Sequence, residues 1–476
     1  MGNLLIYAKS SYIPNLPMSF LNDRMSPIER RASAALASIY GLRMLGIFLI
    51  LPVFAVYAEH LPGGGDHGLI GLALGVYGLT QALLQLPFGM ASDHFGRKRM
   101  IYLGLALFVL GSFVAALAQD IYWVIIGRSI QGAGAINAAV TALVADLTRE
   151  EHRTKAMAMI GGTIGLTFAA SLVLGPALYS LISIPGIFAL TGVLAVLAVF
   201  VVRHLVPDPA VSRFHSDAEA APARLVSVLR DRELGRLNFG IFALHVVQMA
   251  MFVVVPFALR ETGGLDANHH WQVYLPVLAV SVVFMVPLIL YSEKRARHKA
   301  VFVAAVALML AAELAFIPAI HDFWGIVAVL TLYFVAFNVL EASLPALVSK
   351  IAPTGAKGTA MGVYNTSQSL GLFVGGALGG LLSHHFGPAA VFWLGAALIG
   401  AWLWLASGMR SPPAVKNLMF HVAVPDAAAA RRIEQRLAAV PGVVEALVLA
   451  EEGAAYLKVD RRALDEPALE RVIASA

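Results

Sequence analysis

The side chains equipped for chemistry are few, and most lie inside apolar stretches. Arg43, Arg128 and Glu341 are ionisable groups in such stretches, joined by the amides of Gln131, Asn137 and Asn338 and by the imidazole of His245. Tyr40, Arg43, Ile47, Phe54 and Tyr57 recur at helical spacing. His245 falls in register with Phe242, Met249 and Phe252, while Asn338 and Glu341, three apart, share a helix face. A charge in apolar surroundings needs a partner, a water-filled cavity or a path to the surface. Glu341 therefore has two readings, a reversible proton carrier or a fixed partner of Arg128 or Arg43. His245 fits a satisfied helix contact as well as a cavity residue, and Glu313 fits a structural or interfacial role. His269-His270 and His384-His385 lack acids or cysteines at ligand spacing, so no metal site is expected. No phosphate-cradling glycine loop with its lysine occurs, nor any nucleophile–base set, which argues against an ATP-driven cycle and against an enzyme.

The elements that must position these residues follow from composition. Of 476 residues, 59% are hydrophobic and 13% charged, where soluble chains carry about 25% charge. Mean hydropathy is +0.77. Such a chain needs lipid as its solvent. Apolar runs of bilayer length fall at 33–58, 69–90, 99–118, 122–144, 157–180 and 185–204. Six more fall at 236–259, 271–291, 299–319, 324–347, 361–383 and 388–408. This predicts an all-α polytopic membrane protein with twelve transmembrane helices. Its expected parts are an N-terminal segment 1–32, a six-helix bundle 33–204, a linker 205–235 and a second six-helix bundle 236–410. A soluble region follows at 411–476. No cleavable signal pattern is present, and Met25 is a candidate start.

Lysine and arginine set the orientation. With the N-terminus cytoplasmic, the inner loops hold Arg30, Arg31, Arg97-Lys98-Arg99, Arg153, Lys155, Lys294, Lys299, Lys350, Lys357 and Arg410. The outer loops hold Arg260 alone, beside Glu59, Asp66, Glu261, Asp266 and Asp322. Both ends are then cytoplasmic, and the net charge of +5 is loop bias with no implication of nucleic acid. The halves also repeat. Pro87–Arg99 reads PFGMASDHFGRKR and Pro287–Lys299 reads PLILYSEKRARHK, while Ala156-Met157 and Gly175 recur as Ala360-Met361 and Gly379. Two such halves place a solute site between them near the midplane, which is transporter architecture.

Three motifs carry a family resemblance. Gly89-Met90-Ala91-Ser92-Asp93-His94-Phe95-Gly96-Arg97-Lys98-Arg99 resembles the loop between helices 2 and 3 of the major facilitator superfamily, with His94 in place of the usual base. The resemblance implies a cytoplasmic conformational latch of Gly89, Asp93, Gly96, Arg97, Arg99 and Asp146. In it Asp93 faces the positive N-terminus of helix 11 and Arg97 pairs with Asp146, favouring an outward-open state. Arg128-Ser129-Ile130-Gln131-Gly132 is similar to the family's second motif, which implies proton coupling or helix positioning for the arginine. Gly162, Ser171, Gly175 and Pro176 resemble the helix-5 packing motif of drug–proton antiporters, although Ser171 replaces a glycine and Tyr179-Ser180 the closing pair. Small residues there imply close packing, and Pro176 a kink.

Beyond Pro412-Pro413 the composition turns soluble. Strand, helix, strand, strand and helix are expected at 418–424, 426–438, 443–449, 454–459 and 466–473. This order resembles a ferredoxin-like domain of the heavy-metal-associated type without its fourth strand or its cysteine pair. The whole is expected to be a monomeric inner-membrane transporter that exports a small amphipathic solute against inward protons, with the proton gradient in place of any cofactor. Arg43, Arg128, Gln131, Asn137, His245, Asn338 and Glu341 are the expected cavity and coupling residues. Two other readings are an uptake symporter on the same fold and a membrane sensor signalling through the tail.

Overall fold

The computed structural model describes residues 25–148, 150–208, 222–295, 297–353, 356–410, 415–422, 424, 426–450, 453–460 and 463–474. Residues 1–24, the connector 209–221, Pro412-Pro413 and the Glu451-Glu452 turn lie outside them.

The chain enters α1 (Pro27–Phe48) through a capping box in which Ser26 Oγ accepts from Glu29 N at 3.1 Å and Glu29 Oε2 accepts from Ser26 N at 2.8 Å. The helix thus begins six residues before the expected boundary at 33, because this cap and Pro27 at the first turn favour an earlier start. The expected continuous span 33–58 is also broken. Turns precede α2 (Phe54–Ala58), since Pro52 lacks an amide hydrogen and crowds the preceding turn.

Then come α3 (His67–Phe95) and α4 (Arg97–Ala116), followed by α5 (Ile121–Ala133) and α6 (Asn137–Leu147). The last two divide the expected fourth span at the glycine-rich Gly132-Ala133-Gly134. Next is α7 (Glu150–Leu205). A straight 56-residue helix would measure about 84 Å, far beyond a bilayer of about 30 Å. Ser183, at φ 57° and ψ −179°, breaks it. Its two arms run back on each other: Thr163 and Ser171-flanking Gly175 meet α1 at Gly41 and Leu49, while His204 returns to Arg31. This one element therefore supplies spans 5 and 6.

The second half is α9 (Arg232–Gly263), α10 (Trp271–Lys294), α11 (His298–Ala319), α12 (Phe323–Ile351), α13 (Lys357–Phe386) and α14 (Pro388–Ser407). Between the halves, α8 (Pro222–Arg230) ends where Asp231 starts a new helix by accepting from Glu233 N and Leu234 N. Nine helical segments among the described residues are long and apolar enough by composition alone to cross a membrane. Counting α7 as two arms, and adding the polar-flanked α1 and the glycine-rich α13, gives the two six-helix halves.

The tail forms β1 (Val415–His421), α15 (Ala427–Ala438), β2 (Val443–Leu449), β3 (Ala454–Asp460) and α16 (Glu466–Ala474). The strand order is β1-β3-β2, with β3 antiparallel to both neighbours, so β1 and β2 are parallel and joined through α15. Ile433, Leu437 and Leu469 from the helices cover Ala455, Leu457 and Val459 of the sheet. This is the split βαβ arrangement of a ferredoxin-like fold.

Candidate functional site

The halves meet at the face of the bundle opposite the tail. Along α3 and α13, a Cβ on Gly71 would collide with the Gly376 carbonyl, and one on Gly376 with that of Gly71. Only glycine permits backbones to cross this closely. The Arg260 guanidinium donates to Glu59 Oε2 at 2.7 Å. The His67 ring stacks on Phe257 with centroids 4.9 Å apart, and His270 Nδ1 lies 3.3 Å from the Pro52 carbonyl. Leu83, Met90 and Phe95 of α3 are exposed, and the buried positions of α10 all lie within Val273–Ser281 except Ser292.

In the first half the expected cavity residues form one buried network. Arg43 donates to Asn137 Oδ1 and to Tyr77 Oη, each at 2.6 Å. Arg128 donates to Gln131 Oε1 at 3.0 Å and to the Ala73 and Leu74 carbonyls at 3.4 and 3.3 Å. Gln131 passes its amide hydrogen to Ser112 Oγ at 2.8 Å. Tyr77 lies between the guanidiniums, with Arg43 and Arg128 5.7 and 5.1 Å from its ring centroid. Both arginines are 1% exposed. Their hydrogen bonds stay within this half, and neither reaches Glu341, so the fixed ion pair across the halves is not formed here.

In the second half His245, Gln368 and Glu341 converge from α9, α13 and α12. His245 Nδ1 faces the Ile241 carbonyl at 3.1 Å. A carbonyl only accepts, so this nitrogen carries the hydrogen, and Nε2 is left to accept from the Gln368 amide at 2.8 Å. The same amide lies 3.4 Å from Glu341 Oε1, while Glu341 Oε2 is 3.9 Å from His245 Nε2 and has no hydrogen-bond partner. The imidazole is buried, whereas the glutamate side chain is 35% exposed. Asn338 bonds Ser281 Oγ of α10 at 2.9 Å and stands apart from this trio. Glu313 of α11 is 2% exposed, with Oε1 unpartnered among the described residues and the carboxylate close to Gly395 of α14.

The α3–α4 loop holds a compact ion cluster. Buried Arg97 pairs with Asp93, lies 3.4 Å from Asp146 Oδ2 and donates to Ser92 Oγ at 2.9 Å. Gly96 turns the chain at φ 95°, a conformation that disfavours side chains, and Gly89 faces Ala138 across a 3.1 Å gap to a would-be Cβ. Arg99 is exposed. Asp93 is exposed near the end of α3. Its carboxylate is held by Arg97 inside its own half, and Ala356 at the start of α13 receives no side-chain cap.

The helix-5 motif is only partly a packing seam. A Cβ on Gly175 would strike the Leu49 carbonyl, and Ser171 is fully buried. Gly162, expected to pack, instead faces open space. The backbone stays helical through Pro176 and breaks at Ser183.

Comparison with known proteins agrees with this architecture. The profile of the Major Facilitator Superfamily matches residues 36–376 and 270–440. The chain belongs to the major facilitator superfamily. The YajR YAM domain profile matches the tail at residues 420–475. The chain is 42% identical to the inner membrane transport protein YajR of Escherichia coli over 96% of its own length and all of that protein. It is 28% identical to the multidrug resistance protein MdtH of Proteus mirabilis, covering 71% of this chain and 82% of that one. Among solved structures, it superposes on the human organic anion transporter MFSD10 with a TM-score of 0.60 at 18% identity, covering 80% of this chain and all of that one. A bacterial homologue of the lysosomal transporter Spinster gives 0.66 at 14% identity, covering 81% and 98%. The protein is a multi-pass membrane transporter of this superfamily.

Proposed function

We propose that this transporter exports small amphipathic molecules in exchange for inward protons, by alternating access between its halves. The observation that carries the reading is the His245–Gln368–Glu341 cluster, a carboxylate and an imidazole joined by one amide inside the bundle. Ionisable groups at such a depth mark proton or ion pathways. Glu341, the more exposed of the two ionisable groups, receives the proton, while Gln368 couples its charge to the buried imidazole on α9. Arg43 and Arg128 act as positioning residues that fix the first half around Tyr77. No cofactor takes part; the proton gradient supplies the energy, and lipid is the solvent for a working monomer.

The loop bias of lysine and arginine places the tail in the cytoplasm. In that orientation the crossing of α3 and α13 closes the outer side, and the Arg97 cluster lies at the inner side as the latch. Kinship with proteins named for multidrug and quinolone resistance favours export over uptake.

The test uses inside-out membrane vesicles with an acidified lumen and a panel of amphipathic cations and anions. Proton-driven accumulation of at least one solute, abolished by dissipating the gradient, is expected. Accumulation only in right-side-out vesicles under an inward gradient would establish uptake instead.

A further inference from the structure

The face of the tail sheet turned away from its helices is covered. On β3, Ala455, Leu457 and Val459 point into the core beneath α15 and α16. Strand alternation turns Ala454, Tyr456 and Lys458 the other way. All six are nevertheless buried, Lys458 to 7% exposure. A sheet with both helices on one face leaves its other face to water, so a second layer lies over these residues.

Lys458 identifies that layer. Its ammonium donates to the Ala352 carbonyl at 2.6 Å, and Ala352 is the C-cap of α12. Glu445, opposite it on β2, holds the same ammonium at 3.1 Å. The contact puts a cation at the negative end of a helix dipole, with a carboxylate balancing a charge that would be costly to bury alone. A solvated lysine on a loose tail would need neither partner.

We propose that the tail is a docked regulatory module whose open sheet face, centred on Lys458, seats on the end of α12 and restrains the connection into α13. That connection is short, since α13 begins at Lys357. The helix it feeds carries Gln368 of the polar cluster and Gly376 of the crossing between the halves. The tail is thereby tied to the element that both the solute pathway and the closure depend on, and undocking frees that element.

The chain contains no cysteine, so cysteine pairs report on docking directly. In native membranes carrying the full-length protein, Ala352→Cys paired with Lys458→Cys, and separately with Glu445→Cys, is treated with a short bis-maleimide. Ala352→Cys with Glu470→Cys, on the exposed side of α16, is the control. Both test pairs are expected to give intramolecular cross-links about tenfold above the control, as held neighbours have high effective concentration. Yields equal to the control for both pairs overturn the proposal. The Glu445 pair retains Lys458 and so decides the matter if replacing the lysine unfolds the tail. Hydrogen exchange supplies the second readout: Lys458→Ala is expected to speed exchange at Ala356–Ala360, and unchanged exchange there would contradict the restraint on α13.

Discussion

Gln368 donates its amide to His245 Nε2 at 2.8 Å while lying 3.4 Å from Glu341 Oε1. One amide on α13 thus reads the state of two ionisable groups on α9 and α12. If the imidazole gained a proton, Nε2 would become a donor and the amide would have to turn its oxygen towards it. A proton arriving at this cluster therefore rearranges contacts among three helices.

Replacing that bridge should uncouple without unfolding. Gln368→Ala is expected to weaken the dependence of transport on the imposed pH gradient, with a stability loss of only about 1 kcal/mol, as for a single hydrogen bond. Thermal denaturation in detergent, measured beside vesicle transport, checks both halves of this statement.

The arginine network of the first half should behave in the opposite way. Arg128→Ala removes hydrogen bonds to Gln131 and to the Ala73 and Leu74 carbonyls of α3. Losing three bonds from a charged donor, with Gln131 Oε1 left without its partner, costs about 2–4 kcal/mol in total. A lowered unfolding temperature is expected, and an unchanged one would show that these bonds do not hold α5 to α3.

The crossing of α3 and α13 should control closure. Gly376→Ala places a methyl against the Gly71 carbonyl, so the halves must separate on the face opposite the tail. A cysteine introduced at Ser369, buried beneath that crossing, is expected to react with an impermeant maleimide from the outside several times faster in the Gly376→Ala background.

The Glu59–Arg260 bridge predicts a pH dependence of the same closure. The Arg260 hydrogen bond, reinforced by its charge and opposed by partial burial, holds the Glu59 carboxyl below its ordinary value. A carboxylate with a depressed value in the closed form stabilises that form above its ordinary value and loses the effect as pH falls through the lower one. Outside labelling of the Ser369→Cys variant, taken relative to a freely exposed cysteine at each pH to remove the change in thiolate fraction, should then stay flat from about pH 8 to 5 and rise only in stronger acid. In Glu59→Gln the rise should be absent and labelling high throughout.

Much of the fold was legible because apolar length is a strong signal. The number of spans and the βαββα order of the tail rest on local pattern, while the proximity of Arg97 to Asp146 comes from the family resemblance of the loop. The breaks at Pro52 and Gly132–Gly134 were less visible, since hydropathy does not register a lost backbone hydrogen bond. The site was harder. Gln368 drew no notice among the glycines and serines of its helix, and its role exists only where three distant segments meet. Tyr77 likewise looked like an ordinary aromatic, yet its hydroxyl and ring keep Arg43 and Arg128 within one half.

Gradient-driven transport against solute exchange in proteoliposomes, compared between the unaltered protein and Glu341→Gln, tests the central claim most directly. The glutamine should abolish accumulation driven by a pH gradient while preserving exchange of labelled for unlabelled solute at equal pH. Full gradient-driven accumulation in Glu341→Gln would contradict a proton-carrying role for this cluster.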